Sequence, residues 1–76
     1  MKNKIEKNTL IAIGKQIKVE RVKLGLIQTE LAKKVGISTD TLSRIENGTA
    51  NQLLTITMKI YSEMGLNFPN DFILRY

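Results

Sequence analysis

The sequence predicts an all-α domain of four helices, or five, with an extended C-terminal tail whose residues favour a short strand. The chain has 76 residues, which is enough for one compact domain at most. Apolar residues recur at steps of three and four through most of it, as on the buried face of a helix. Four of its five glycines end such a run, where a left-handed residue often closes a helix: Gly25, Gly36, Gly48 and Gly65.

The helix boundaries follow from these glycines and from capping residues. Two of the predicted helices begin at a good N-cap, Thr9 or Ser38. The predicted helices are residues 9–24, 28–35, 38–46 and 53–64. The fifth glycine, Gly14, lies inside the first helix, where we expect it to permit close packing against another element.

After Gly65 the pattern changes, and the last ten residues form an apolar tail. Its strand-favouring residues are Phe68, Phe72, Ile73, Leu74 and Tyr76, and Pro69 argues against a continuous helix. The tail can fold back on the core, pair across a dimer axis or add a strand to a second protein. Its length and apolar character favour dimerisation. We therefore divide the chain into a basic arm (1–8), a helical domain (9–66) and this tail (67–76).

Composition excludes most chemistry and points to a binding function. The chain has neither cysteine nor histidine, so it lacks a thiolate nucleophile and the commonest general base and metal ligands. We therefore assign no catalytic residue, no metal and no cofactor. The net charge of +5 favours an anionic partner such as nucleic acid. With no apolar run long enough for a membrane span or a signal peptide, a cytoplasmic protein is expected.

The excess charge lies at one end of the chain. Residues 1–24 hold seven basic and two acidic side chains, and the remainder is neutral overall. Lys2, Lys4 and Lys7 belong to the arm, which we expect to attract DNA through its long-range field. The charge alone therefore does not identify a binding site.

The segment from Gln28 to Asn47 has the features of a helix-turn-helix unit. Ala32 is small where two helices would cross, and Gly36 supplies the left-handed residue of a tight interhelical turn. Apolar positions hold the pair of helices together. The third helix then presents a polar row of short side chains and one arginine, Thr39, Asp40, Thr41, Ser43 and Arg44. Such a row suits base edges and phosphates.

With these residues in place, the chain resembles the phage-repressor class of helix-turn-helix proteins, also described as lambda-repressor-like or Xre/Cro-type. The resemblance is carried by RVKLGLIQTELAKKVGIS at residues 21–38, TLSRIENG at 41–48 and KIYSEMGL at 59–66. It covers about residues 10–66, and it implies a DNA-binding domain whose third helix enters the major groove.

The resemblance also implies roles for individual residues. Four side chains of the third helix would face bases: Thr39, Asp40, Ser43 and Arg44. Four others would contact phosphates: Gln28, Ser38, Thr41 and Asn47. Arg21 and Glu46 would form an internal ion pair, and an arginine on an apolar face independently requires a buried acceptor. One departure is Ile27, because the family usually has a capping Ser, Thr or Asn before the glutamine of its second helix.

The sequence therefore predicts a DNA-binding transcriptional regulator, a repressor that acts as a homodimer on a palindromic stretch of double-stranded DNA. An alternative is the DNA-binding antitoxin of a toxin–antitoxin pair, which would also sequester a toxin protein. The short loop before the fourth helix and the strand-like tail resemble those of antitoxins that partner kinase-type toxins. A third alternative is a helical module that binds only protein, which would show no salt-sensitive DNA affinity.

Overall fold

Five α-helices make up most of the chain that the structure describes. A computed structural model describes residues 6–75, the side chain of Arg75 excepted. The helices are α1 (Lys7–Lys23), α2 (Gln28–Val35), α3 (Thr39–Glu46), α4 (Leu54–Glu63) and α5 (Asn70–Arg75). None of these helices is both long and apolar enough to cross a membrane. Lys2, Lys4 and Tyr76, which the sequence assigned to the arm and the tail, lie outside the described residues.

The predicted helix ends are confirmed at the glycines and wrong at the start of α1. All four helix-closing glycines have positive φ, between 72° and 89°, and Ser38 caps α3 as expected. The N-cap of α1 is Glu6 rather than Thr9, and its side chain makes no capping bond. Because the first turn is closed by the Leu10 N–H donating to the Glu6 carbonyl at 2.8 Å, no side-chain cap marks this start in the sequence. Lys7 therefore belongs to α1.

The tail is a helix, and the expected strand is wrong. Pro69 immediately precedes α5, where a missing backbone N–H costs nothing, so it interrupts the helical chain after α4, as expected, without preventing a helix after it. The Asp71 carboxylate accepts the Asn67 N–H at 2.6 Å, and the Asp71 N–H donates to the Asn67 carbonyl at 2.8 Å. The Ile73 N–H donates to the Pro69 carbonyl at 2.9 Å. These local bonds support a short helix despite strand-favouring side chains.

α5 folds back on the domain through aromatic residues. The rings of Phe68 and Tyr61 meet edge to face with centroids 5.0 Å apart, and Phe68 and Phe72 are 5.7 Å apart. Tyr61 is fully buried and Phe72 nearly so. Phe68 and Phe72 therefore join the protein's own core, which corrects the expectation that both serve a dimer or partner surface. Ile73 and Leu74 are exposed, at 68% and 82%.

One core joins all five helices. Its fully buried side chains come from α1 to α4 and include Ile13, Ile17, Leu31, Leu42, Ile45 and Ile60. α1 packs on α3, and α2 packs on both α3 and α4. The helix-turn-helix pair of α2 and α3 is thus supported from two sides.

Gly14 brings α1 into direct contact with the backbone of α3. A Cβ atom at this position would lie 2.3 Å from the Ile45 carbonyl oxygen and 2.7 Å from that of Glu46. Neither oxygen can move without displacing the end of α3. The expected packing role of Gly14 is therefore confirmed, and it sets the distance between α1 and the exposed helix.

A buried polar pair links α1 to α4 and α5. The Tyr61 hydroxyl donates to Gln16 Oε1, and Gln16 Nε2 donates to the Asp71 carbonyl at 3.4 Å. Burial raises the pKa of the Tyr61 hydroxyl well above its ordinary value, and the negative charges of Glu20 and Asp71 add to the shift. Tyr61 therefore holds its proton in the folded protein and donates it.

Candidate nucleic-acid interface

α3 has one face in the core and one in solvent. Leu42 and Ile45 are essentially inaccessible to solvent and anchor the helix. On the opposite side Thr39, Asp40 and Arg44 are exposed, and Ser43 is half-buried. The four residues assigned to base reading therefore lie on a helix that is anchored in the core, and three of them are exposed to solvent.

Asp40 and Arg44 form an ion pair along this exposed face. Arg44 Nη2 lies 2.7 Å from Asp40 Oδ2, one turn apart on the helix. The pair makes the exposed face of α3 neutral overall, as the charge distribution in the sequence predicted. An approaching nucleic acid would therefore meet hydrogen-bonding groups on α3 rather than excess positive charge.

The start of α3 is a small network of hydroxyl groups. Ser38 Oγ accepts the Thr41 N–H at 3.0 Å and donates to Thr41 Oγ1 at 2.8 Å. Thr39 Oγ1 donates to Thr29 Oγ1 of α2 at 3.4 Å, which joins the two helices at their exposed surface. Ser38 and Thr41, assigned to phosphate contact, are both exposed, as is Asn47 at the other end of α3.

The ion pair between Arg21 and Glu46 is present and buried. Arg21 Nε donates to Glu46 Oε2 at 2.7 Å, and Nη2 donates to Oε1 at 3.1 Å. The Arg21 side chain is 10% exposed and that of Glu46 is 1% exposed. Arg21 Nη1 also donates to the Leu26 carbonyl at 2.8 Å. The pair links α1 to the end of α3 and to the turn before α2.

Gln28 has a partner that the sequence did not indicate. Its Nε2 donates to Glu46 Oε1 at 3.0 Å, so the first residue of α2 is bonded to the last residue of α3. The two residues lie 18 positions apart, and no periodicity relates them. Only the folded structure, which brings the start of α2 next to the end of α3, reveals this contact.

α2 begins without a side-chain cap, because isoleucine at position 27 has no hydrogen-bond acceptor. Glu30 supplies half of a capping box instead, its Oε1 accepting the Ile27 N–H at 2.9 Å. In the first turn of α2 the Glu30 N–H donates to the Ile27 carbonyl at 3.1 Å, and the N–H groups of Gln28 and Thr29 precede the first hydrogen-bonded turn. They add a partial positive charge beside Gln28 that suits an anion.

The acidic residues of the described chain do not gather into a metal site. Within residues 6–75, no group of three or more Asp and Glu side chains is placed to hold an ion. The arrangement offers exposed hydrogen-bonding groups and helix ends.

Comparison with known proteins identifies the same region. A family model described as helix-turn-helix matches residues 17–60, more than half of the chain. The antitoxin HipB of Escherichia coli strain K12 is 38% identical over 55 residues, which cover 72% of this chain and 62% of HipB. The chain thus spans less than two thirds of the length of the curated relatives that it matches.

Two solved structures share the fold. The clp gene regulator ClgR of Corynebacterium glutamicum superimposes with a TM-score of 0.79 at 22% identity, over 84% of this chain and 82% of that one. The restriction-modification controller protein C.AhdI of Aeromonas hydrophila gives a TM-score of 0.74 at 23% identity, over 79% and 91% of the two chains. At this identity the likeness concerns the fold alone.

Proposed function

The chain belongs to the helix-turn-helix family of the Xre/Cro type, a family of DNA-binding transcriptional regulators, and we propose that it is a repressor acting as a homodimer on a palindromic operator. The α3 helix of each subunit enters one major groove. The centres of the two half-sites lie about one helical turn of DNA apart.

The exposed face of α3 is the observation that carries this proposal. Asp40 and Arg44 are solvent-accessible on a helix whose other face is locked in the core. In this proposal Thr39, Asp40, Ser43 and Arg44 read base edges, for which hydroxyl, carboxylate and guanidinium groups are suited. The polar side chains at the helix ends, Gln28, Ser38, Thr41 and Asn47, bind phosphates and orient the domain.

The division of charge supports two separate contributions to binding. Net positive charge is concentrated in residues 1–24, whereas the exposed face of α3 is neutral. Lysine-rich surface supplies attraction that does not depend on sequence, and α3 supplies selectivity. With neither histidine nor cysteine in the chain, we infer a binding role without catalysis or cofactor. We further propose that the protein acts in the cytoplasm.

Dimerisation is proposed through the exposed end of α5. Ile73 and Leu74 are among the most exposed large apolar side chains of the described residues, and two adjacent ones on a terminal helix suit a symmetric contact. Phe68 and Phe72 pack on the core side of α5, so they are not proposed as residues of the dimer contact. Lys2 and Lys4 are proposed to add to the attraction of DNA.

Binding to duplex DNA at several salt concentrations tests the proposed function. We expect the affinity for a random duplex to fall steeply between roughly 50 and 200 mM salt, because contacts to phosphates release counterions. A domain that binds only protein would show no such DNA affinity.

A second candidate function is a DNA-binding antitoxin, favoured by the similarity to HipB. The same α3 surface would bind an operator, and a toxin protein would bind elsewhere. Because the tail is helical, the strand-like tail no longer supports this alternative. Co-expression with the product of the adjoining reading frame tests it: a stable complex that removes the toxicity of that product supports the antitoxin, and independent purification opposes it.

A further inference from the structure

The carboxylate of Glu46 is the common partner of residues from α1 and α2. It accepts two hydrogen bonds from Arg21 and one from Gln28, while its own residue ends α3. The Glu46 side chain is 99% buried, so its carboxylate depends on these protein donors for its hydrogen bonds. One side chain therefore bonds to both helices of the proposed interface, α2 and α3, and to α1 behind them.

The same network supports the uncapped start of α2. On one side of Ile27 the Leu26 carbonyl is bonded to Arg21, and on the other side Gln28 is bonded to Glu46. Ile27 occupies the N-cap position but has no capping group, and both of its chain neighbours are thus bonded to the ion pair of Arg21 and Glu46. These bonds hold the chain on both sides of Ile27 and relate the N-terminus of α2 to α3, although none of them accepts a backbone N–H of α2.

The bond to Glu46 also determines the orientation of the Gln28 amide. An ionised carboxylate has no donor, so only the NH₂ group of Gln28 can face it. One N–H is used in this bond, and the second remains on the same nitrogen for another acceptor. Arg21 balances the charge of Glu46, which would otherwise repel a nearby phosphate.

We propose that Glu46 is a positioning residue for DNA binding, which sets the Gln28 amide and the N-terminus of α2 at a defined distance from the base-reading side chains of α3. The inference rests on the proposed function, in which Gln28 binds phosphate. A phosphate contact fixes the register of a protein on DNA, and base contacts then select the sequence. Glu46 connects the two kinds of contact directly.

A double-mutant cycle tests this role on the duplex that the wild-type protein selects from random DNA. One background is the wild type. The other is Arg21→Met with Glu46→Leu, which replaces the buried ion pair by apolar side chains, a change that proteins often tolerate. Gln28→Ala is introduced into each, and circular dichroism with urea unfolding establishes that all four proteins are folded in the assay.

We expect Gln28→Ala to weaken binding about fivefold or more in the wild-type background and by less than about twofold in the other, because interacting residues are not additive. Arg44→Ala is the control, since Arg44 contacts neither residue and should cost the same in both backgrounds. If the apolar background does not fold, Glu46→Gln replaces it: the single amide oxygen cannot accept all three hydrogen bonds that the Glu46 carboxylate accepts from Arg21 and Gln28, and the amide NH₂ group faces their donors, so the same pattern is expected.

Equal penalties for Gln28→Ala in both backgrounds would overturn the positioning role and leave the proposed function standing. Absence of duplex binding by the wild-type protein would overturn both. If Glu46 has a purely structural role, replacing it lowers the stability of the protein, but Gln28→Ala weakens DNA binding equally in both backgrounds. The coupling between positions 28 and 46 in DNA binding is therefore the deciding quantity.

Discussion

Arg44 and Asp40 form an ion pair on the exposed face of α3, with 2.7 Å between Nη2 and Oδ2. The two side chains are 66% and 72% exposed, and helix pairs of this kind contribute only about 0.3–0.5 kcal/mol to stability. Arg44 can therefore exchange its partner for a base edge at little cost. In the free protein the pair keeps the guanidinium close to the helix surface.

Arg44→Ala should lower the affinity for the selected duplex by about 1–3 kcal/mol and relax the preference at one base position in each half-site. The free energy of unfolding should change by less than about 0.5 kcal/mol, because the side chain is exposed. Fluorescence anisotropy with single-base variants of the duplex measures both effects. Lys33→Ala, an exposed cation on α2, is the matched control and should leave base preference unchanged. Unaltered affinity and preference in Arg44→Ala would contradict the assignment of α3 as the reading helix.

Gly14→Ala should reduce the free energy of unfolding by about 1 kcal/mol, the overpacking cost less the gain in helix propensity. The added Cβ would meet the Ile45 carbonyl at 2.3 Å, and overpacking of this kind costs about 1–3 kcal/mol. Alanine gains roughly 1 kcal/mol of helix propensity over glycine, so an exposed glycine would respond in the opposite direction. Urea unfolding measures the difference, with Lys15→Ala as the exposed neighbour that should change little. A Gly14→Ala variant as stable as the wild type would show that α3 can move away from α1 without cost at this contact.

Tyr61→Phe should alter how stability depends on alkaline pH. Burial raises the pKa of Tyr61 in the folded state, so below about pH 10 both states keep the proton and this group causes no change. Above about pH 10 the unfolded chain loses the proton first, and the wild-type free energy of unfolding falls. Phenylalanine has no hydroxyl proton to lose, so the variant should not show this fall. Near pH 7 the substitution should lower the free energy of unfolding by about 1–3 kcal/mol, because Gln16 Oε1 loses its donor. Urea unfolding between pH 7 and pH 11 measures both effects; identical alkaline slopes in the two proteins would refute the buried, protonated tyrosine.

Ile73→Ser with Leu74→Ser should weaken self-association by at least about tenfold, because two apolar side chains lose their burial in the dimer. The stability of the monomer should change little, since both are exposed on α5. Sedimentation equilibrium over a range of protein concentrations measures the association. Val19→Ser with Val22→Ser removes comparable exposed apolar surface from α1 and should leave the dimer intact. If the Val19→Ser, Val22→Ser protein is monomeric and the Ile73→Ser, Leu74→Ser protein remains a dimer, the contact lies on α1.

The sequence predicted those features that are encoded locally. Gly36 forms the turn before α3 through its left-handed conformation, and Ser38 caps α3 with its side chain. The structure has both as expected. The apolar spacing likewise predicted the buried faces of α2 and α3, but Met58 follows the same spacing on α4 and is exposed. The start of α1 escaped prediction because only a backbone bond to Glu6 closes its first turn.

Features that depend on distant residues were wrong or missed. The tail was expected to be a strand because its side chains favour one, but Phe72 packs on Phe68 and Asp71 closes the turn at Asn67. Tertiary packing can override such preferences. The bond from Gln28 to Glu46 joins helix ends 18 residues apart, and the sequence alone carries no periodic signal for it.

Selection of bound sites from random duplex DNA tests the central claim most directly. We predict a two-fold symmetric consensus whose half-site centres are about one helical turn apart, and a loss of preference at one position in each half-site when Arg44 is replaced by alanine. Failure of the wild-type protein to enrich any sequence at low salt would contradict the claim that α3 reads DNA.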